Sequence, residues 1–239
     1  MYKIEFLKAK RRENLVVLFF NQFPFSPFFC MLTYIREECM MIKANVPIIL
    51  ASQSPRREEL LSKLNIPFTI QVSGVDEEIA GKATPEALAL IIAKKKGEHV
   101  ANEHPESIVI AADTTVFLDD YLLSKPKNEH QAKEYLRRLS GKTHRVITGV
   151  SIKGMGSDVG FSETTYVTFH ELTDELIDAY VATGDPLDKA GAYGIQNMGG
   201  LLVQRIEGDY NNVVGLPLSR LFHVLLDMRV IELNGEGTR

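Results

Sequence analysis

The chain has 239 residues, 45% of them apolar and 24% charged, enough for a buried core in one large domain or two small ones. A formal charge of −4 gives no support to broad nucleic-acid or membrane-surface binding. Both cysteines, Cys30 and Cys39, lie in the first 46 residues, which excludes a disulfide scaffold, a cysteine-built zinc site and thiolate catalysis from the rest.

The first 46 residues are compositionally odd. They hold seven of the 12 phenylalanines and carry seven Lys/Arg against four Asp/Glu. The remainder then carries 20 basic and 27 acidic side chains, an acidic body of net −7. Lys8, Lys10, Arg11 and Arg12 precede a short apolar run, as in a secretory signal, but Asn21, Gln22, Pro24 and Pro27 interrupt it and no small-residue cleavage site follows. The two prolines also argue against a membrane-spanning helix, which needs ~20 predominantly apolar residues. The reading adopted is a true start at Met40 or Met41, with residues 1–45 a loosely ordered extension. Residues 46–229 then form the functional domain and 230–239 a tail.

From Val46 onward, apolar and amphipathic runs alternate. Ile48–Ala51 reads as a buried strand and Arg56–Leu64 as a helix ending near Asn65 and Pro67. Phe68–Val72 alternates like a strand. Thr84-Pro85-Glu86 supplies an N-cap and a proline at the first helical position, for a helix running to about Val100. Ser107–Leu118 is a strong β segment, and Asn128–Leu139 a helix closed by Ser140-Gly141. Arg145–Ile152 and Ser162–Phe169 read as two neighbouring strands around the turn Gly154-Met155-Gly156. A helix from Thr173 to about Val181, a strand over Leu201–Ile206 and a closing helix over Leu216–Met228 complete the pattern. The class is α/β: a mixed sheet with several helices packed on it.

Chemistry collects at a few places. Ser52-Gln53-Ser54-Pro55-Arg56-Arg57 joins a strand to a helix through small and basic residues. The free N–H groups of a first helical turn and the helix dipole favour an anion there. Two arginines in that turn oppose the dipole unless an anion sits between them. Asp113 follows a buried strand and two alanines. It is either a strand-end aspartate capping the next turn or a carboxylate that binds metal or takes a proton from water. Asp76-Glu77-Glu78 reads as a solvated loop, or as the source of a second carboxylate beside Asp113 for a divalent ion. Lys94-Lys95-Lys96 at a helix end and Lys125 before Pro126 are each weak alone. With Arg56 and Arg57 they supply the local cations that an acidic body needs to hold a triphosphate. Asp188 to Gln196 is Gly-rich enough for close backbone approach to a ligand, and Gln196 can donate and accept at once, which suits a base edge. The loop Gly208 to Pro217 is of the same kind. The scattered histidines suit no metal cluster, and His144 reads as structural. No P-loop, GxGxxG after a strand or GxSxG is present.

These segments, in this order, resemble the Maf family of nucleoside triphosphate pyrophosphatases. The resemblance covers about Ile48 to Met228. It rests on Ser52-x-Ser54-Pro55-Arg56-Arg57, Ala112-Asp113-Thr114, Lys125-Pro126, Ser140-Gly141-x-Thr143-His144, Asp188-Lys189-Ala190-Gly191-Ala192-Tyr193-Gly194-Ile195-Gln196 and Val214-Gly215-Leu216-Pro217. It implies an elongated, twisted mixed sheet flanked by helices, in two lobes with a central cleft, similar to inosine triphosphate pyrophosphatases. It implies a cytoplasmic enzyme that cuts a nucleoside triphosphate to the monophosphate and pyrophosphate, with Asp113 as proton acceptor. The resemblance ties Arg56, Thr114 and Gln196 to base choice. It assigns Arg57, Lys96 and Lys125, with Ser52 and Ser54 of the same turn, to the phosphates. Glu77 and Asp113 would hold a divalent cation, Mg, Mn or Co. The Arg-Arg pair and the Ile-Gln ending look like the branch acting on dTTP and UTP rather than on 7-methyl-GTP. Gln53 departs from the small residue commoner there. The resemblance is compatible with a homodimer and implies no nucleic-acid or membrane partner. Competing readings are a pyrophosphatase for another, non-canonical nucleotide, or a division regulator acting by binding. The acidic body counts against direct DNA binding.

Overall fold

A computed structural model of the chain describes residues 42–75 and 83–233. Residues 1–41 of the extension expected over 1–45, the Asp76-Glu77-Glu78 run and the last six residues lie outside the described residues. Among the described residues no helix is long and apolar enough to cross a membrane.

The predicted segments are present, with shifted ends. Strand β2 (Ile48–Leu50) leads into helix α1 (Pro55–Ser62) and strand β3 (Thr69–Ile70). Helix α1 stops two residues early because Lys63, Leu64 and Asn65 tighten into i→i+3 bonds, and Asn65 takes φ 53°. Helix α2 (Pro85–Glu103) starts at the predicted cap: the Thr84 hydroxyl accepts from the Ala87 N–H at 3.2 Å. Strand β4 (Ile108–Leu118) is followed by a two-residue strand β5 (Tyr121–Leu122) and helix α3 (Glu129–Leu139), capped by Asn128. Strands β6 (Thr143–Gly154) and β7 (Ser157–Phe169) pair over their whole length and exceed the predicted spans. Helix α4 (Asp174–Val181) leads into three 3-10 turns, Asp185–Asp188, Ala190–Ala192 and Met198–Leu202. The last of these delays strand β8 to Val203–Glu207. A short helix α5 (Tyr210–Val214) occupies the second Gly-rich loop, and α6 (Leu218–Asp227) closes the fold. Two short strands carry no periodicity that reveals them: β1 (Ile42–Ala44) pairs antiparallel with β9 (Ile231–Leu233).

The main sheet runs β3-β2-β4-β6-β7-β8. Strands β2 and β3 are parallel, as are β2 and β4, and the other pairings are antiparallel. This is the mixed α/β class expected. The two larger apolar cores lie beside this sheet. One gathers α1 and α6 with β2 and the start of β4, around Leu60, Leu61, Ile110, Leu221 and Leu225. The other gathers α3 and α4 with the far half of β4, around Leu123, Leu136, Phe169 and Ile177. Ile195 packs against both.

Helix α2 lies against β4 and β6, and Gly149 makes that approach possible. A Cβ at Gly149 would overlap the Ala89 carbonyl group and the Leu90 nitrogen. These are backbone atoms that cannot rotate away. We expect Gly149→Ala to lower the unfolding free energy by about 1–3 kcal/mol, read by urea denaturation. An unchanged midpoint would mean that α2 slides freely.

The second core also fixes a wall of the cleft. His144 is 1% exposed, and its Nε2 lies 2.8 Å from the Tyr193 hydroxyl. The imidazole, Phe169 and Tyr193 pack edge to face, with centroids 4.8–5.4 Å apart. Burial pushes the His144 pKa down from 6.5 to about 3. Below pH ~6.5 the unfolded chain therefore binds a proton that the folded chain refuses, down to about pH 3. Stability falls with falling pH in that window by about 1.4 kcal/mol per unit from this group. In His144→Gln the stability curve between pH 6.5 and 4.5 should flatten by about that slope. Equal slopes in chemical unfolding of both proteins would refute the assignment.

Candidate active site

The cleft exists because β4 outruns its neighbours. On one edge, β6 pairs with β4 from Val109 to Phe117. On the other edge, β2 reaches only Ile108–Ile110, and β5 only Phe117–Leu118. The Ala51 N–H closes on the Ile110 carbonyl and the Leu123 N–H on the Val116 carbonyl. Between those two bonds, β4 has no strand partner on that side among the described residues. A strand's peptide groups alternate between its two edges. Those of Ala112 and Thr114 therefore share the edge of Ile110 and Val116 and face the gap.

The gap opens into a cleft of about 780 Å³. Ser52, Ser54, Arg56, Arg57, Lys96, Asp113, Thr114, Lys125 and Gln196 all line it. Every sequence-predicted site residue within the described residues is thus brought to one place, from five separate stretches of chain. Glu77 lies outside the described residues.

The two faces of β4 carry different chemistry. On the α2 face, Lys96 Nζ donates to Asp113 Oδ1 at 2.7 Å, and each side chain is only 12% exposed. This pair is shielded from water, where charge interactions are strong. On the α1 face, Arg57 is clamped by three partners: Nε donates to the Gly215 carbonyl at 2.8 Å, Nη1 to Ser52 Oγ at 3.3 Å and Nη2 to Thr114 Oγ1 at 3.0 Å. The Ser54 N–H also donates to Ser52 Oγ, at 3.1 Å. Gly215 takes φ 129°, a conformation that suits glycine, to aim its carbonyl at the guanidinium. The arginines of the first α1 turn are thus already held by oxygens of the protein, one of them a carboxylate: Arg56 Nη1 lies 3.5 Å from Asp188 Oδ2.

The segment Asp185 to Asn197 is held across the mouth by charge. Lys189, 8% exposed, places Nζ 3.1 Å from Asp185 Oδ1 and 2.7 Å from Asp188 Oδ1. The Tyr180 hydroxyl donates to Asp185 Oδ2 at 2.7 Å and accepts the Gly194 N–H at 3.0 Å. Burial alone would raise the pKa of Asp185, but hydrogen bonds from Tyr180, Asn197 and Lys189 outweigh it and hold the carboxyl below its usual value. Asp188 is likewise held low against burial, by Lys189 and then Arg56. Burial, reinforced by Asp185, pushes the Tyr180 phenol up. Both carboxylates are ionised and both cations neutralised, so the segment is pinned with Gln196 at the cleft wall. Gln196 Nε2 approaches Glu59 Oε2 at 3.5 Å. Lys125 lines the cleft as well, exposed.

Sequence reasoning missed the supports. Thr148 touches Thr114, while Asp185, Tyr180 and Asn212 support the surrounding segments one contact further out. Thr148 carries no sequence signal beyond a polar side chain inside a buried strand.

The arrangement offers one shielded carboxylate, several cations and an open backbone edge. That set can hold an anionic tail and deprotonate a water. Residues 47–228 match the sequence profile described as Maf-like protein. A dTTP/UTP pyrophosphatase of Bacillus cytotoxicus is 52% identical over 177 residues, covering 74% of this chain and 93% of its own. One from Bacillus cereus is 49% identical over 199 residues, covering 83% and 97%. Among solved structures, the Ham1 protein of Staphylococcus aureus aligns at 15% identity and TM-score 0.45, over 77% of this chain and 99% of its own. Profile and relatives together show that the chain belongs to the Maf-like protein family.

Proposed function

We propose that this chain hydrolyses dTTP and UTP to the monophosphate and pyrophosphate, with Asp113 as the base. The observation that carries the reading is the Asp113–Lys96 pair at the open edge of β4, within one cleft with Arg57 and Lys125. Two relatives named for this activity, each about half identical over most of the chain, support the choice of reaction.

The chemistry follows from charge. Lys96 and Lys125 offset the phosphate charge, while Arg57 shapes the wall between the tail and Thr114. Asp113 takes a proton from water as the water oxygen bonds to the α-phosphorus. The bond from the α-phosphorus to its bridging oxygen breaks, and the electron pair leaves on pyrophosphate. Such reactions depend on positioning and electrostatic stabilisation more than on covalent help. A base of this kind contributes ~100- to 10,000-fold.

The family resemblance implies a divalent ion. Among the described residues no three His, Cys, Asp or Glu side chains gather to hold one. Magnesium needs no such group: it takes one or two carboxylates and completes its shell with phosphate oxygens and water. Asp113 fits that pattern, with Glu77 as the second carboxylate of the proposal. When bound, Mg, Mn or Co would withdraw charge from the phosphate oxygens.

The functional unit is proposed to be residues 46–229, joined by the β1–β9 pair that flanks it. A chain begun at Met41 should keep its turnover and its melting temperature, because β1 starts at Ile42. A large loss in either would show that the first 40 residues take part. The reading itself is tested by pyrophosphate release across dTTP, UTP, CTP, dITP and 7-methyl-GTP, with dTTP and UTP expected fastest. In Asp113→Asn, kcat on UTP should fall ~100-fold or more. Near-normal turnover in that variant would assign the base elsewhere.

A further inference from the structure

A row of hydroxyls runs from the cleft into the core. Arg57 Nη2 lies 3.0 Å from Thr114 Oγ1. Thr114 Oγ1 lies 2.9 Å from Thr148 Oγ1, its register partner on β6. Thr148 Oγ1 lies 3.0 Å from the carbonyl oxygen of Asn212. Distance alone leaves the direction of the threonine–threonine bond open, but the two ends of the row decide it. A guanidinium only donates and a carbonyl only accepts. Thr148 therefore gives its single hydroxyl proton to Asn212. Thr114 gives its own to Thr148 and accepts from Arg57. The hydroxyl of Thr114 has no proton left for a ligand and one lone pair still to offer.

The row is rigid. Thr148 and Asn212 are fully buried. Asn212 Nδ2 donates to the Val146 carbonyl at 3.0 Å and to Thr165 Oγ1 at 2.9 Å, so its backbone has no room to swing. Thr114 lines the cleft.

We propose that Thr148 is a positioning residue for specificity: by taking the Thr114 proton it makes Thr114 an obligate acceptor, so the ligand must present an N–H or O–H there. An ionised phosphate oxygen has only lone pairs to bring, so the phosphate tail is turned away from Thr114 and the nucleoside end is directed to it. Two nucleoside groups by which the substrates can be told apart have the required chemistry, the imide N3–H of uracil or thymine and the ribose 2′-hydroxyl of UTP. Cytosine carries a lone pair at the same ring position and meets Thr114 acceptor to acceptor. This inference rests on the nucleotide reading above.

The test compares kcat/KM for UTP, CTP and dUTP in the wild type, Thr148→Val and Thr148→Ser. Valine keeps the volume and frees the Thr114 proton to meet a lone pair. If the imide is the donor, the UTP:CTP ratio should fall on the order of 10-fold in Thr148→Val, chiefly through KM. If the sugar is the donor, the UTP:dUTP ratio should fall instead. Thr148→Ser retains the hydroxyl and should restore the wild-type ratios, which a purely structural role would not require. Thr148→Val that hydrolyses UTP with both ratios unchanged overturns the inference and leaves the proposed function standing. Should that variant not fold, Thr114→Ser and Thr114→Val carry the same test. Serine should keep both ratios and valine should collapse one, and unchanged ratios in Thr114→Val again overturn it. A wild-type enzyme with no activity on UTP or dTTP defeats the function reading itself.

Discussion

The structure depends on one mismatch of length. β4 has eleven residues and its neighbour β2 only three, so among the described residues the sheet has no strand on that edge where Ala112 to Thr115 pass. An unpaired strand edge is normally a liability, because its peptide groups seek a partner. Here the missing strand leaves room for a ligand, with backbone donors and acceptors already aimed at it. Both faces of β4 are also reachable from the gap. That is why two successive residues, Asp113 and Thr114, can serve one cleft although their side chains point to opposite sides of the sheet.

The acidic body handles its cations by pairing them. Arg56 meets Asp188, Lys96 meets Asp113 and Lys189 meets two aspartates. Of these, Lys96–Asp113 and Lys189–Asp185 are sheltered from water and hold a geometry that exposed pairs do not. A triphosphate entering the cleft therefore meets a charge lattice already set, rather than loose side chains that must be ordered first.

Much of this was legible in the chain. The run Ile108-Val109-Ile110 and two alanines before Asp113 leave a capping and a functional role equally open, and the family resemblance chooses between them. The α1 turn was legible because Ser54-Pro55 is a helix start and Arg56-Arg57 sits badly in it unless paired. The helix caps at Thr84, Asn128 and Thr173 were legible for the same local reason. What escaped is non-local. Nothing around Thr148 distinguishes it from any threonine in a strand, and its role arises only when β6 lies beside β4 with Asn212 above. The β1–β9 pair joins residues 189 positions apart through a few backbone bonds and leaves no period to read. Short helix α5 was hidden by its own glycine-rich flanks, which signal a loop equally well.

The contact at Gly149 has a consequence for α2. Ala89 meets that glycine, and Lys96 follows seven positions later, two helical turns, on the same side of the helix. Adding or deleting a single residue between them would swing the lysine by about 100° away from the carboxylate it serves. The interval between the two is thus as tightly constrained as their identities, and divergence along this helix is free to change residues but not to change the count.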